Sequence, residues 1–211
     1  MESAVPGAGK TTILSGYDDY DHLRACSRAF PDRSHCRPLL DQLAVFGVTY
    51  VTGASSDYGL PSAYRSPQDV DLGQLVVGLA RAPSARVRDA LVSLLLRHPE
   101  SASTVKNVIK SPETTGNTRA SLTARLLAAA ALQRSHEAAF KALEHRYVRI
   151  DVSDLTTAEG LPSADDGEGR LLLKALQDLV TSRHPAIDVV SGWDSVARHT
   201  LQEIAWARVD E

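Results

Sequence analysis

The sequence predicts a mainly α protein: a bundle of about six helices behind a small N-terminal segment that is irregular or α/β. From Leu72 onward, apolar residues recur at i, i+3, i+4 and i+7. Hydrophobic residues make up 43% of the chain but aromatics only 5%, so Leu, Val and Ala must fill the core, which suits close helix packing better than a β-sandwich. Proline and glycine fall between the periodic stretches, where helices stop.

Residues 1–67 form the N-terminal segment and residues 68–211 the helical domain. The first 36 residues are punctuated by Pro6, Gly7, Gly9, Gly16 and Pro31, with a short helix conceivable over 20–29. Arg37 to Phe46 reads as a helix carrying Leu39, Leu40, Leu43 and Ala44 on one side, and Gly47 suits a left-handed cap. Val48-Thr49-Tyr50-Val51-Thr52 is β-branched and aromatic, the best strand candidate in the chain.

Asp69 or Asp71 can cap the first helix of the body, whose inner face is Leu72, Leu75, Val76 and Leu79. Pro83-Ser84 ends it. Val87, Leu91, Leu94 and Leu95 mark a second helix that stops at Pro99; Val105, Val108 and Ile109 mark a short third. The fourth is the longest, from about Arg119 to Tyr147, along a stripe through Leu122, Leu126, Ala129, Gln133, His136, Phe140 and Leu143. Residues 148–152 read as its frayed end in preference to a strand, and Ser153 to Gly169 as a long exposed loop. Leu171, Leu172, Ala175, Leu176 and Leu179 make a fifth helix. A sixth starts at Ser191 or Asp194, with Val196, Ala197, Thr200, Leu201 and Ile204 inward. Trp193 and Trp206 are expected to anchor that last helix in the core. Arg86, Arg88, Asp89 and Arg97 are expected on a solvated surface of the second helix.

Charge is divided unevenly. Residues 72–149 hold 12 Lys/Arg and 5 Asp/Glu, a net of +7, whereas residues 150–211 hold 5 and 12, a net of −7. Complementary charge predicts that the acidic tail folds against the basic middle. The cations have almost no aromatics between them, so nucleic acid is disfavoured as a partner. No run of apolar residues approaches the roughly 20 that span a bilayer, and Met1 to Pro6 lacks a basic stretch followed by an apolar one. Two cysteines make no disulfide framework, so a cytoplasmic, reduced setting is expected.

Chemistry-bearing motifs are confined to the first 71 residues. Ala4-Val5-Pro6-Gly7-Ala8-Gly9-Lys10-Thr11 resembles the phosphate-binding loop of P-loop nucleotide hydrolases, with Ala4 where that family has glycine. The likeness implies nucleotide binding through Gly9, Lys10 and Thr11. A second likeness spans residues 39–72: a helix, the candidate strand, the turn Gly53-Ala54-Ser55, and then Asp69-Val70-Asp71. This resembles the signature of polymerase-beta-like minimal nucleotidyltransferases. It implies a nucleoside triphosphate held at Gly53 and Ser55, and magnesium held by Asp69 and Asp71 on one strand face. The family's second glycine is replaced by Ala54, and Leu72 onward reads as helix. Residues 72–211 resemble a group of bacterial all-helical proteins without an established activity. That likeness rests on Leu79 to Pro83, Arg86 to Glu100, Leu126 to Gln133 and Ser191 to Arg198.

No convergent set of nucleophile, acid/base or metal ligands is legible from Leu72 onward. The leading expectation is therefore a non-catalytic helical interaction or regulatory domain that binds another protein and uses no cofactor. The alternatives are magnesium-dependent nucleotidyl transfer at Asp69 and Asp71, and nucleotide binding at Lys10.

Overall fold

The structure is a computed structural model that describes residues 33–48, 66–143, 147–183 and 193–209. Among these residues it is built of nine α-helices and no strands. They are α1 (Arg33–Val45), α2 (Leu72–Arg81), α3 (Ala85–Arg97), α4 (Ala102–Lys110), α5 (Gly116–Ser135), α6 (Glu137–Leu143), α7 (Ser153–Glu159), α8 (Arg170–Arg183) and α9 (Trp193–Val209). The mainly α bundle predicted from periodicity is what the chain forms. No helix among the described residues is long and apolar enough to cross a membrane.

Two helices form the centre. In α5 every residue from Ala120 to Arg134 is buried, and in α3 every residue from Asp89 to Leu96. Helices α2, α4, α7, α8 and α9 pack against α5, while α1, α2 and α9 pack against α3. A helix covered on all sides needs no polar face, so α5 carries small Ala128–Ala131 side chains that let its neighbours approach. Burying each of the leucines at zero exposure on α3 (Leu91, Leu94, Leu95, Leu96) is worth roughly 1.5–3 kcal/mol.

Close backbone approaches are set by glycine. A Cβ at Gly78 on α2 would lie 2.6 Å from Leu39 of α1, so the bare backbone there admits that leucine. Gly47 ends the first helical stretch at φ +71°, in the left-handed region, and the Arg97 guanidinium lies against it. Leu43, Phe46 and Val48 thereby join the same apolar cluster as α2 and α3. His98 fastens this corner: its Nε2 is 3.0 Å from the Phe46 carbonyl oxygen, and its ring meets Phe46 edge-on at 5.4 Å. Only Val48 of the candidate strand lies within the described residues.

Three expectations are corrected. The helix expected from Arg119 to Tyr147 breaks at His136 (φ −117°, ψ +23°) into α5 and α6. The break redirects α6 against α9 and buries Phe140 completely. Residues 148–152 are neither a helix end nor a strand. They pass beside Gln133, whose Nε2 donates to the Val148 carbonyl and whose Oε1 accepts from the Ile150 N–H, both at 2.8 Å. The buried amide of Gln133 supplies the two bonds that a neighbouring strand would supply. Residues 153–169 contain α7 and not one continuous loop; Leu155 and Thr156 bury its inner side and Gly160 caps it at φ +64°.

The acidic tail does fold onto the basic middle. Lys106 pairs with Asp154 at 2.7 Å and with Asp151 at 3.7 Å, and Lys110 with Asp154 at 3.4 Å, joining α4 to α7. Arg134 pairs with Asp165 at 2.6 Å. The Lys106 ammonium holds the Asp154 carboxyl below its usual range.

Gly169 and Gly160 separate two effects of the same substitution. Both have positive φ, but a Cβ at Gly169 would lie 2.1 Å from the Ala131 carbonyl oxygen, whereas at Gly160 it meets nothing within 4 Å. Gly160→Ala is expected to cost about 1 kcal/mol, the backbone strain alone. Gly169→Ala adds overpacking against α5 and is expected to cost roughly 3 kcal/mol or more. Urea unfolding midpoints of the two variants check the ordering.

Candidate functional site

Of the residues singled out by motif, Gly9, Lys10, Thr11, Gly53 and Ser55 lie outside the described residues. Asp69 and Asp71 are described, and each serves a separate helix start. Asp69 closes the turn Pro67–Asp69: its Oδ2 accepts the Ser66 N–H at 3.0 Å. Asp71 is the N-cap of α2, its Oδ1 accepting the Gln74 N–H at 3.0 Å. Both are exposed, with Val70 turned inward between them. The residues around them form a turn and a helix end, not the strand face that the nucleotidyltransferase likeness implies. Among the described residues, no group of three or more His, Cys, Asp or Glu is placed to hold a metal ion.

The polar constellation that the fold does assemble lies at the crossing of α3, α5 and α9. Asp89 accepts from the Arg125 Nη2 at 2.9 Å and, more weakly, from the Trp193 indole N–H at 3.4 Å. Arg125 is 2% exposed and Trp193 1%. Arg125 Nη1 also donates to the Ser121 Oγ at 2.9 Å, and that hydroxyl donates to the Ala80 carbonyl at 3.3 Å, reaching α2. Two helical turns along α9 from Trp193, Thr200 Oγ1 donates to the Val196 carbonyl at 2.9 Å and lies 2.8 Å from Ser93 Oγ. Because a hydroxyl carries one proton, Ser93 is the donor in the second contact.

This site corrects the expectation that Asp89 decorates a solvated surface. Its burial was legible in one respect. Asp89, Val92, Ser93 and Leu96 fall at i, i+3, i+4 and i+7, a second inward face beside the Leu91–Leu94–Leu95 stripe. A helix with two inward faces is central, and a charge on one of them needs a buried partner. Which partner it would be could not be read from sequence, since Arg125 lies 36 residues away. Trp193 anchors α9 in the core as expected, and it does so through the same carboxylate.

Two further clusters flank the crossing. At the far end of α5, Arg134 reaches Asp165 at 2.6 Å, the Gln133 Oε1 at 3.2 Å and the Tyr147 hydroxyl at 3.3 Å; burial pushes the Tyr147 phenol up. At the α5–α6 break, His136 Nε2 lies 3.1 Å from Asp194 Oδ1, and Arg198 bonds the other oxygen of that carboxylate. Burial pushes the Asp194 carboxyl up, but His136 and Arg198 outweigh it and hold it below its usual range. Chemically, all these groups are matched in charge and bonded to one another, which orients helices and holds their register.

Comparison of the chain with known protein families, with curated proteins and with solved structures finds no match.

Removing one partner of the central pair tests its role. Asp89→Ala strands the Arg125 guanidinium in the core and is expected to cost about 3–5 kcal/mol in chemical unfolding. Asp89→Leu combined with Arg125→Met is expected to recover most of that loss. A double variant as unstable as Asp89→Ala would contradict the assignment. At the surface, the hydrogen bonds from Lys141 and then Arg149 hold the Glu137 carboxyl at about 2, against an ordinary 4.5. A carboxyl depressed on folding stabilises above its unfolded value, and the contribution is lost as pH falls from about 4.5 to about 2. Glu137→Gln should flatten that part of the stability–pH curve, measured by thermal melts across the window.

Proposed function

We propose that the chain works by association with another protein, as a helical interaction or regulatory domain without catalysis of its own. The observation that supports this reading is the use made of ionisable groups inside the bundle. Asp89, Arg125 and Trp193 are consumed in joining α3, α5 and α9, and Ser121 extends the join to α2. A network of this kind sets helices in one arrangement and makes a stiff frame that presents its outer faces to a partner. Asp69 and Asp71 each already accept a local backbone N–H, which favours this reading over magnesium-dependent nucleotidyl transfer. The likeness of residues 72–211 to bacterial helical proteins agrees with a helical body as the working part. The setting proposed is the cytoplasm, in keeping with a free, buried Cys36.

Affinity capture and cross-linking with the full chain test the reading. One partner protein co-purifying in fixed stoichiometry is the expected result. The reading is overturned if no partner is captured while the purified chain shows magnesium-dependent nucleotidyl transfer that Asp69→Ala and Asp71→Ala abolish. Triphosphate binding lost in Lys10→Ala would instead favour the N-terminal nucleotide site.

A further inference from the structure

Both ring nitrogens of His98 face oxygens that can only accept. The ring lies at the C-terminal end of α3, where His98 is the capping residue, and it is half-buried. Its Nε2 is 3.0 Å from the Phe46 carbonyl oxygen, and its Nδ1 is 3.1 Å from the Glu100 Oε1. Neither a peptide carbonyl nor a carboxylate has a proton to donate. Both contacts are hydrogen bonds only if each nitrogen carries a proton, and a ring with two N–H groups is the imidazolium. The end of α3 favours that charge, since the last carbonyls of a helix form its negative pole.

The groups around the ring come from each element packed on this corner. Phe46, just after α1, presents its carbonyl and its aromatic ring. Glu100, in the turn Pro99–Ser101, presents its carboxylate. Arg97, in the last turn of α3, lays its guanidinium against Gly47 and so opposes a charge on His98. The half-buried acid of α1 is Asp41, but the carboxylate that meets the ring is that of Glu100. On α4, Lys106 and Lys110 are turned to Asp154 of α7.

A ring that gives up one proton can keep only one of the two bonds. The carboxylate is the stronger acceptor, so it draws the remaining proton to Nδ1. Nε2 then turns a lone pair on the Phe46 carbonyl, and a bond that spans 52 residues is lost. We propose that His98 is a proton-operated clasp that holds residues 33–48 to the helical body, shut while the imidazole is charged and loosened when it is neutral. Bonds that need the second proton are present at low pH and are lost as pH rises. Histidines change charge between about pH 5 and 8, the range in which such a clasp can act. Loosening it bares Leu43, Phe46 and Val48, which are buried in the apolar cluster shared with α2 and α3. The clasp does not depend on whether the chain binds a partner protein.

Amide hydrogen exchange of the full chain, followed by NMR and expressed as protection factors, provides the test. The amides of Phe46, Gly47 and Val48 bond to the carbonyls of Leu43 and Ala44 and report on this corner. Between about pH 6 and 8 their protection is expected to fall about tenfold, the scale of a hydrogen bond to a charged group. Protection of Leu126 to Ala130 in α5 is expected to stay within about twofold. At about pH 8, the 15N shifts of the ring are expected to place the remaining proton of His98 on Nδ1. Glu100 is exposed, so Glu100→Gln keeps the fold. Its amide donates to Nδ1, the ring proton stays on Nε2, and the fall in protection is expected to shrink to within about twofold. His98→Gln, which has no titrating ring, is expected to remove the pH dependence as well. The clasp is overturned if protection at 46–48 does not change with pH, if α5 shares the fall equally, or if the fall persists in either variant. A proton on Nε2 of the parent chain at the higher pH overturns it too.

Discussion

The buried Asp89–Arg125 pair constrains the rest of the bundle. A carboxylate and a guanidinium taken out of water each lose several kcal/mol of hydration, and attraction between them offsets that only at good geometry with the remaining donors bonded. The two groups sit 2.9 Å apart, and Ser121 and Trp193 supply further bonds, while the buried Arg125 Nε has no hydrogen-bond partner. Sliding α3 along α5 by one turn would part the two charges and leave each buried without the other. Generic leucine packing tolerates many registers; this pair tolerates one. Because the Trp193 indole reaches the same carboxylate, the start of α9 is placed by the pair as well.

The outer ion pairs work differently. Lys110, Asp154 and Arg149 are substantially exposed, and pairs of that kind are worth little one by one. Their collective effect is directional. A chain with +7 in its middle and −7 in its tail gains by laying the second over the first, and α7 lies against α4 and α5 in keeping with that balance. Neutral acceptors also tie the middle together: Arg81 bonds the Thr118 hydroxyl, and Arg119 the carbonyls of Ser111 and Thr114.

How much of this was legible in the chain differs from element to element. Helices α2, α3, α4 and α8 were visible because their apolar residues recur with helical pitch and their ends carry proline or a capping residue. The break at His136 was not visible, since Gln133, His136 and Phe140 continue the helical spacing through it. What ends α5 is the opportunity to bury Phe140 after a change of direction, and that depends on α9, more than 50 residues on. Helix α7 was hidden for another reason: seven residues with one large apolar side chain hold too little periodic signal. Among the candidate site residues, the capping role of Asp71 was readable from its place before an apolar stripe. The burial of Asp89 follows from a second inward face on α3, but its partner Arg125 does not follow from any local spacing.

By itself, then, the sequence determined the class of fold, most helix positions and the attraction between middle and tail. These follow from local spacing and from net charge, which any chain conformation shares. The tertiary structure decided which charges are core and which are surface, where α5 stops, and that a glutamine would stand in for a strand. Those outcomes depend on which side chains arrive opposite one another, and residues 36 to 107 positions apart meet only after the helices have packed.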